Sequence, residues 1–385
     1  MKFNDIVLPN YDHSILSTIT SVLKYYNVET NHKSLNTLDD ILNKKIYKNI
    51  VLIILDGLGE HILNDISIDG YFNQSKIDCV TSVYPSTTTA ALTTYYSGRT
   101  PWETGWIGWS QYFKEYGRAI DMFSHKESYM EEQLRNIKKD VFKTDMFYDS
   151  IYNQIEKANS KVKAFEIGPE YSERRGKRNI IADNIDEVIS SIYDVCEISG
   201  EKFILAYVDN PDGLLHKYGT DSDEVKSFVL ETEEKIKNMK NNLPEDTLVI
   251  ISADHGHKNI DKTYTLLDYP EIYECLIMPP TLESRALTFW VKEDMKAIFE
   301  ERFNNQFGDE FWLISKEEFL NKYKFLGEGK KHNKIDDFIG DYVAMSVGSS
   351  SIKIETYLTE EKKAKKSTHC GLSKFEMEVP VIALI

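Results

Sequence analysis

The stretch Ile50-Val51-Leu52-Ile53-Ile54-Leu55-Asp56-Gly57 decides the fold. Six apolar residues run without a break and stop at a carboxylate and a glycine. A strand with one wet face alternates apolar and polar side chains, whereas an unbroken run is buried on both faces, as in a parallel sheet covered by helices. Phe203 to Val208 repeats the pattern and leads into Asp209, and Leu248 to Ile251 leads through Ser252 and Ala253 into Asp254. Val162 to Ile167, ahead of Gly168-Pro169, is a further candidate strand. Between these runs lie helical segments. The clearest spans about Ser222 to Asn242, with Val225, Phe228, Val229, Ile236 and Met239 on one face. Strands alternating with helices make βαβ units and a mostly parallel central sheet flanked by helices, an α/β fold. Ligands of such sheets bind beyond the C-terminal strand ends, near which Asp56, Asp212 and Asp254 each sit.

The flanks extend this core. Residues 1–48 read as a helical lead-in packed on it, with Ile15, Ile19, Val22 and Leu23 at helical spacing. Residues 49–260 and 367–385, ending in a strand over Val379 to Leu384, form the expected catalytic α/β domain. Residues 261–366 read as an α+β insertion, or cap. Its strand candidates are Ala286 to Val291 and Phe311 to Ile314, its helical candidates Asp294 to Phe303 and Lys316 to Tyr323. The lysine-rich stretches 327–335 and 359–366 read as solvated loops.

Composition narrows the functional classes. The chain's 385 residues are 41% hydrophobic, enough for a sizeable core. With 62 acidic against 46 basic residues the net charge is −16, which opposes binding to a nucleic-acid duplex. A small phosphorylated substrate is compatible with that charge, because a local metal centre overrides the global field. Cys79, Cys196, Cys275 and Cys370 lack paired spacing and read as free thiols of a reducing compartment. No leader and no membrane-length apolar stretch is recognised, so a cytoplasmic location is expected. Oligomeric state leaves no trace in the sequence.

Five short constellations carry chemistry. Asp56 before Gly57 and Gly59 lets backbone approach an ion closely, although a turn aspartate also caps helices. Tyr84-Pro85-Ser86-Thr87-Thr88-Thr89 places four hydroxyls at a helix start. Free amides there favour an anion or a developing alkoxide, and a single hydroxyl would serve equally as an N-cap. In Asp209-Asn210-Pro211-Asp212-Gly213-Leu214-Leu215-His216, Asp212 and His216 face the same side if the turn is helical and can share an ion. Asp254-His255-Gly256-His257 sets a carboxylate and an imidazole after a buried strand, a pair suited to a borderline divalent ion. His257 is expected behind the ligands or on the surface. His369, in Thr368-His369-Cys370-Gly371-Leu372, lies in a loop, beside a Cys370 that reads as a small buried hydrophobe. Three carboxylates, three imidazoles and a hydroxyl match two divalent metals plus a nucleophile.

In this order, D-G, P-S-T-T, P-D-x-x-x-H, A-D-H-G and H-x-G-L resemble the alkaline phosphatase superfamily, and most closely its type I phosphodiesterase/nucleotide pyrophosphatase family. The resemblance runs from about Asn49 to the C-terminus. It implies an alkaline-phosphatase-like fold and two divalent ions, Zn²⁺ by preference, with Mn²⁺ or Fe²⁺ as alternatives in the more oxygen-rich site. Asp56, Thr88, Asp254 and His255 would hold one ion, and Asp212, His216 and His369 the other. Thr88, third after Pro85, would be the nucleophile that forms a covalent phospho-threonine. One position departs. Where the family's phosphate-binding Asn is expected, this chain has Trp109, which offers an indole instead of an amide. Trp102, Trp106 and Trp109 would either line a leaving-group pocket or pack beneath their loop.

These readings predict a metal-dependent hydrolase of phosphate esters of the phosphodiesterase/nucleotide pyrophosphatase type. A phosphomonoesterase or phosphonate hydrolase on the same site is the enzymatic alternative, and a metal-dependent ligand sensor the non-enzymatic one. Arg99 and the run Arg174 to Arg178 are the nearest cations for an extra phosphate charge, but charge runs are usually solvated surface.

Overall fold

The structure, a computed structural model, describes residues 6–129, 146–170, 175–354 and 365–385. Arg174 and the loop positions 359–364 lie outside the described residues. The stretch quoted first forms the strand Asn49–Leu55, every residue of which is buried. It pairs in parallel with Glu201–Val208 on one side and Thr247–Ser252 on the other. Seven strands make this central sheet: Lys76–Thr81, Glu378–Leu384, Thr247–Ser252, Asn49–Leu55, Glu201–Val208, Val162–Gly168 and Asn179–Ile181, in that spatial order. All pairings are parallel except those of Glu378–Leu384, which runs antiparallel to both neighbours. The unbroken apolar runs thus occupy the middle of the sheet, where both faces are covered.

The helices carry the expected signals. Ile15–Tyr25 starts at a Ser14 capping box, buries Ile15, Ile19, Val22 and Leu23, and joins the main core. Asp223–Asn242 is capped by Ser222 and buries Val225, Val229, Ile236 and Met239. Phe228 on that helix is only partly buried against the core.

A second, six-stranded sheet has the order Phe311–Ser315, Tyr342–Ser346, Ala286–Phe289, Thr281–Leu282, Ser110–Phe113, Arg118–Asp121. It is antiparallel throughout. Its last hairpin comes from residues 110–121, so the α+β region expected over 261–366 shares its sheet with a segment from far upstream. Within it, Lys296–Phe307 is helical as expected, whereas Glu318–Lys322 is a single wide π turn. The 327–335 stretch is less solvated than its lysines imply, since Lys334 is buried and pairs with Glu115.

The two sheets are tied together by Arg285 and Glu376, both fully buried. Arg285 Nε donates to Glu376 Oε1 at 2.7 Å and Nη2 to Oε2 at 2.8 Å, while Nη1 reaches the Ser350 carbonyl at 2.6 Å. Glu376 also accepts from the Gly371 N–H and the Ser373 hydroxyl, which fixes the loop carrying His369. Removing one partner of a buried, bidentate pair strands the other charge. Arg285→Met is therefore expected to cost about 3–5 kcal/mol of stability, read as a fall in the denaturant midpoint, with a loss under 1 kcal/mol contradicting this role.

Candidate metal centre

The strand ends deliver the side chains. Asp56 follows its strand directly, and its N–H still bonds the Val208 carbonyl of the neighbouring strand at 3.0 Å. Asp212 opens the helix Asp212–Tyr218 and donates its N–H to the Asp56 carbonyl at 2.9 Å, so His216 does stand one turn further on. Gly57 has φ +78°, and a Cβ there would press on His257 and the Asp212 backbone at 3.1–3.2 Å. Thr88 begins the buried helix Thr88–Ser97. His369 stands in the loop that Glu376 holds.

Two groups of ligand-type atoms result, one of Asp56, Asp254 and His255, the other of Asp212, His216, His257 and His369, each with its atoms within 4.8 Å of one another. His255 Nε2 lies 3.3 Å from Asp254 Oδ2, 3.5 Å from Asp56 Oδ1 and 3.2 Å from Thr88 Oγ1. In the second group, Asp212 Oδ1 is 3.4 Å from His216 Nε2 and 3.8 Å from His369 Nε2. The groups adjoin, since the His255 and His369 rings stack at 3.9 Å.

The imidazole tautomers identify what these atoms face. His216 Nδ1 lies 2.8 Å from the Ser367 carbonyl, His255 Nδ1 3.1 Å from that of Gly256, and His369 Nδ1 3.1 Å from that of Ser86. A carbonyl only accepts, so each Nδ1 carries the proton and each Nε2 presents a lone pair. The His255 and His369 lone pairs face carboxylate oxygens, and that of His216 lies between Asp212 and the Lys365 ammonium. Asp56 Oδ1 and Asp254 Oδ2 are buried and accept no hydrogen bond. In the group of Asp56, Asp254 and His255, a lone pair aimed at unpaired buried carboxylate oxygens calls for a cation between them. The donor set therefore fits divalent metal.

Electrostatics agrees. Burial, with the charges of Asp254 and Asp212, pushes the Asp56 carboxyl well above its usual range against the opposing hydrogen bond from Tyr207. Burial likewise raises Asp254, with Asp212 adding to it, against His255 and the Gly57 N–H. A divalent cation between two such carboxylates reverses this penalty. At Asp212 burial is outweighed by His216, His257 and His369, which together hold the carboxyl well below its usual range. Burial, reinforced by neighbouring imidazoles, holds His216 and His369 below the ordinary imidazole range and takes His257 down to about 3. These three rings are neutral at neutral pH, the ligating form.

His257 is not on the surface, and it stands within the second group of ligand-type atoms. It is 1% exposed, and its Nε2 bonds Asp212 Oδ1 at 2.7 Å. Nδ1 is set 3.1 Å from Ser367 Oγ. A partner that orients a ligating carboxylate is worth roughly 10–100-fold in metal affinity. His257→Ala is expected to weaken one of two bound ions by that factor, in competition with a chromogenic chelator, and to spare the other. Equal weakening of both, or of neither, contradicts it.

Trp109 has a different place from either expectation. Its indole is 40% exposed and meets Phe123 edge-on at 5.8 Å, while its backbone N–H donates to Glu283 Oε1 at 2.8 Å. The same oxygen accepts the Thr87 hydroxyl at 2.6 Å. Glu283 thus stands one residue from Thr88, and nothing in the local sequence marks it. Burial pushes its carboxyl up, while Thr87, the Trp109 N–H, Lys365 and His255 oppose the rise. Trp106 is core, with Nε1 on the Met146 carbonyl at 3.0 Å, and Trp102 lies under Lys331. The three tryptophans do not form one pocket. Arg99 is exposed, and Arg175, Lys177 and Arg178 pair with Glu166 and Glu156. Among the described residues, Lys365 is a cation at the centre, its Nζ 2.8 Å from His216 Nε2. Cys79, Cys196, Cys275 and Cys370 are free.

The sequence profile of the type I phosphodiesterase/nucleotide pyrophosphatase family matches residues 50–362. No curated protein sequence matches the chain. Among solved structures, murine ectonucleotide pyrophosphatase/phosphodiesterase 5 superposes with a TM-score of 0.63 at 15% identity, covering 86% of this chain and 87% of that one. The human form gives 0.63 at 13% identity, with 87% of each chain covered. Phosphonoacetate hydrolase from Sinorhizobium meliloti, in complex with phosphonoformate, gives 0.61 at 15% identity over 86% of this chain and 89% of that one. At these identities the likeness is one of fold: the alkaline-phosphatase-like architecture.

Proposed function

Because this chain belongs to the type I phosphodiesterase/nucleotide pyrophosphatase family and is thereby a hydrolase of phosphoric esters, we propose that it cleaves small phosphate esters through a phospho-threonine on Thr88, with two divalent metals. Asp56, Asp254, His255 and Thr88 would hold one ion, and Asp212, His216 and His369 the other, with His257 orienting Asp212. Mixed nitrogen and oxygen donors suit Zn²⁺ best, with Mn²⁺ or Fe²⁺ as alternatives where oxygen dominates. Such ions, when bound, supply a lowered pKa at the hydroxyl and neutralise charge on the phosphoryl oxygens.

The observation that carries this reading is the place of Thr88 Oγ1, at a helix N-terminus and 3.2 Å from the His255 lone pair. Among the described residues the base hydrogen-bonded to this hydroxyl is His255 Nε2; in this reading that nitrogen would hold an ion, so the hydroxyl is ionised by a bound cation and not by His255 as general base. The helix N-terminus stabilises the alkoxide. Thr88 Oγ1 attacks phosphorus in line, its bond to phosphorus forms, and the bond to the leaving oxygen breaks. Water then cleaves the phospho-threonine and restores the hydroxyl.

Related proteins indicate ligands of the right kind. The murine relative has been seen as an inactive variant with AMP, and the S. meliloti enzyme with phosphonoacetate. The test is zinc-loaded protein assayed side by side on an aryl phosphate monoester and an aryl phosphate diester. Turnover of either supports esterase function. Two metals bound with no turnover of any ester or phosphonate would favour a metal-dependent ligand sensor.

A further inference from the structure

We propose that Glu283 is a specificity residue that disfavours dianionic phosphoryl groups, so that the site prefers phosphodiesters to phosphomonoesters; this rests on the esterase reading above. Two donors converge next to Thr87, the residue before the nucleophile: the Thr87 hydroxyl and the Trp109 N–H, each of a kind suited to a non-bridging phosphoryl oxygen. Both are instead committed to Glu283 Oε1, at 2.6 and 2.8 Å. Glu283 immediately follows the short strand Thr281–Leu282, which pairs with Ser110 and so brings the carboxylate to the Trp109 loop. The position where an amide donor was expected is thereby filled by an acceptor that carries negative charge.

A carboxylate accepts only, and a phosphoryl group set beside Thr88 meets its field. A diester carries one negative charge near neutral pH, whereas a monoester, with a second pKa of about 6, carries nearly two. The additional charge is therefore the one Glu283 penalises. Burial raises the Glu283 carboxyl, while the Thr87 hydroxyl, the Trp109 N–H and the Lys365 ammonium favour its ionised form. Its resolved donors are Thr87 and Trp109.

At a few ångströms and an intermediate effective dielectric, one extra charge beside a carboxylate shifts relative affinity by about tenfold or more. The metal-loaded wild type and Glu283→Gln are compared by kcat/KM on p-nitrophenyl phosphate and bis(p-nitrophenyl) phosphate. The diester-to-monoester ratio is expected to fall by about tenfold or more in Glu283→Gln, through a gain on the monoester, and to stay near the wild-type value in Glu283→Asp. Glu283→Ala is the second neutral variant should Gln not fold. Calorimetric binding of inorganic phosphate and of dimethyl phosphate, in a Thr88→Ala background, reads the same discrimination without turnover. There the neutral variants should bind inorganic phosphate about tenfold tighter relative to dimethyl phosphate. Unmoved ratios in folded, metal-bearing neutral variants overturn the proposal. If wild type hydrolyses neither ester, the esterase reading falls and the binding ratios alone decide the role of Glu283.

Discussion

Thr88→Ala is expected to lower kcat/KM by on the order of 10⁴-fold on any ester the protein cleaves, with metal content close to normal. The size follows from the role. Losing a binding hydroxyl costs a hydrogen bond, whereas losing a nucleophile removes the covalent route altogether. Thr88 Oγ1 lies 3.2 Å from His255 Nε2, so the variant removes the nucleophile together with one proposed metal donor. The remaining donors Asp56, Asp254 and His255 still converge within the limits of a single ion. Turnover within tenfold of wild type, with both ions retained, would move the nucleophile elsewhere. Thr87 would then be the next candidate, although its hydroxyl is committed to Glu283.

Metal removal is the second large effect. Chelation is expected to abolish turnover and lower the melting temperature by about 5 °C per site, since an ion held at a thousandfold excess over its Kd contributes about 4 kcal/mol. Readdition of Zn²⁺ should restore both. The sign follows from the electrostatics: burial and mutual repulsion push the Asp56 and Asp254 carboxyls up, so the metal-free fold carries a strain that a cation relieves. A melting temperature indifferent to chelation and to added zinc would mean that these carboxylates are accommodated some other way.

Much of this was legible along the chain, for a physical reason. A strand buried on both faces must be apolar throughout, so Ile50 to Leu55 could hardly be anything else. A parallel sheet then collects its strand ends on one edge, and Asp56, Asp212 and Asp254 come together there. Residues at those ends are set by local backbone, which is why motif order was informative. The features that escaped depend on long-range packing. Glu283 meets Thr87 across 196 positions, and no spacing announces it. The hairpin Ser110–Asp121 joins a sheet whose other strands come from 281–346, because antiparallel edges accept strands from anywhere. His257 was ambiguous because position does not reveal burial: one residue beyond Gly256, it turns inward onto Asp212. Trp109 marked the departure from the family pattern, but the group that answers it, Glu283, is visible only in three dimensions.

The central claim is that the two side-chain groups are two metal sites around one nucleophile. It is tested most directly by counting metal in zinc-equilibrated protein after unbound ion is removed, by elemental mass spectrometry against protein concentration. The account predicts two ions per chain in wild type, two in Thr88→Ala, and one when Asp254 is replaced by Asn. Fewer than two in the wild type, or two that survive Asp254→Asn undiminished in affinity, would contradict it.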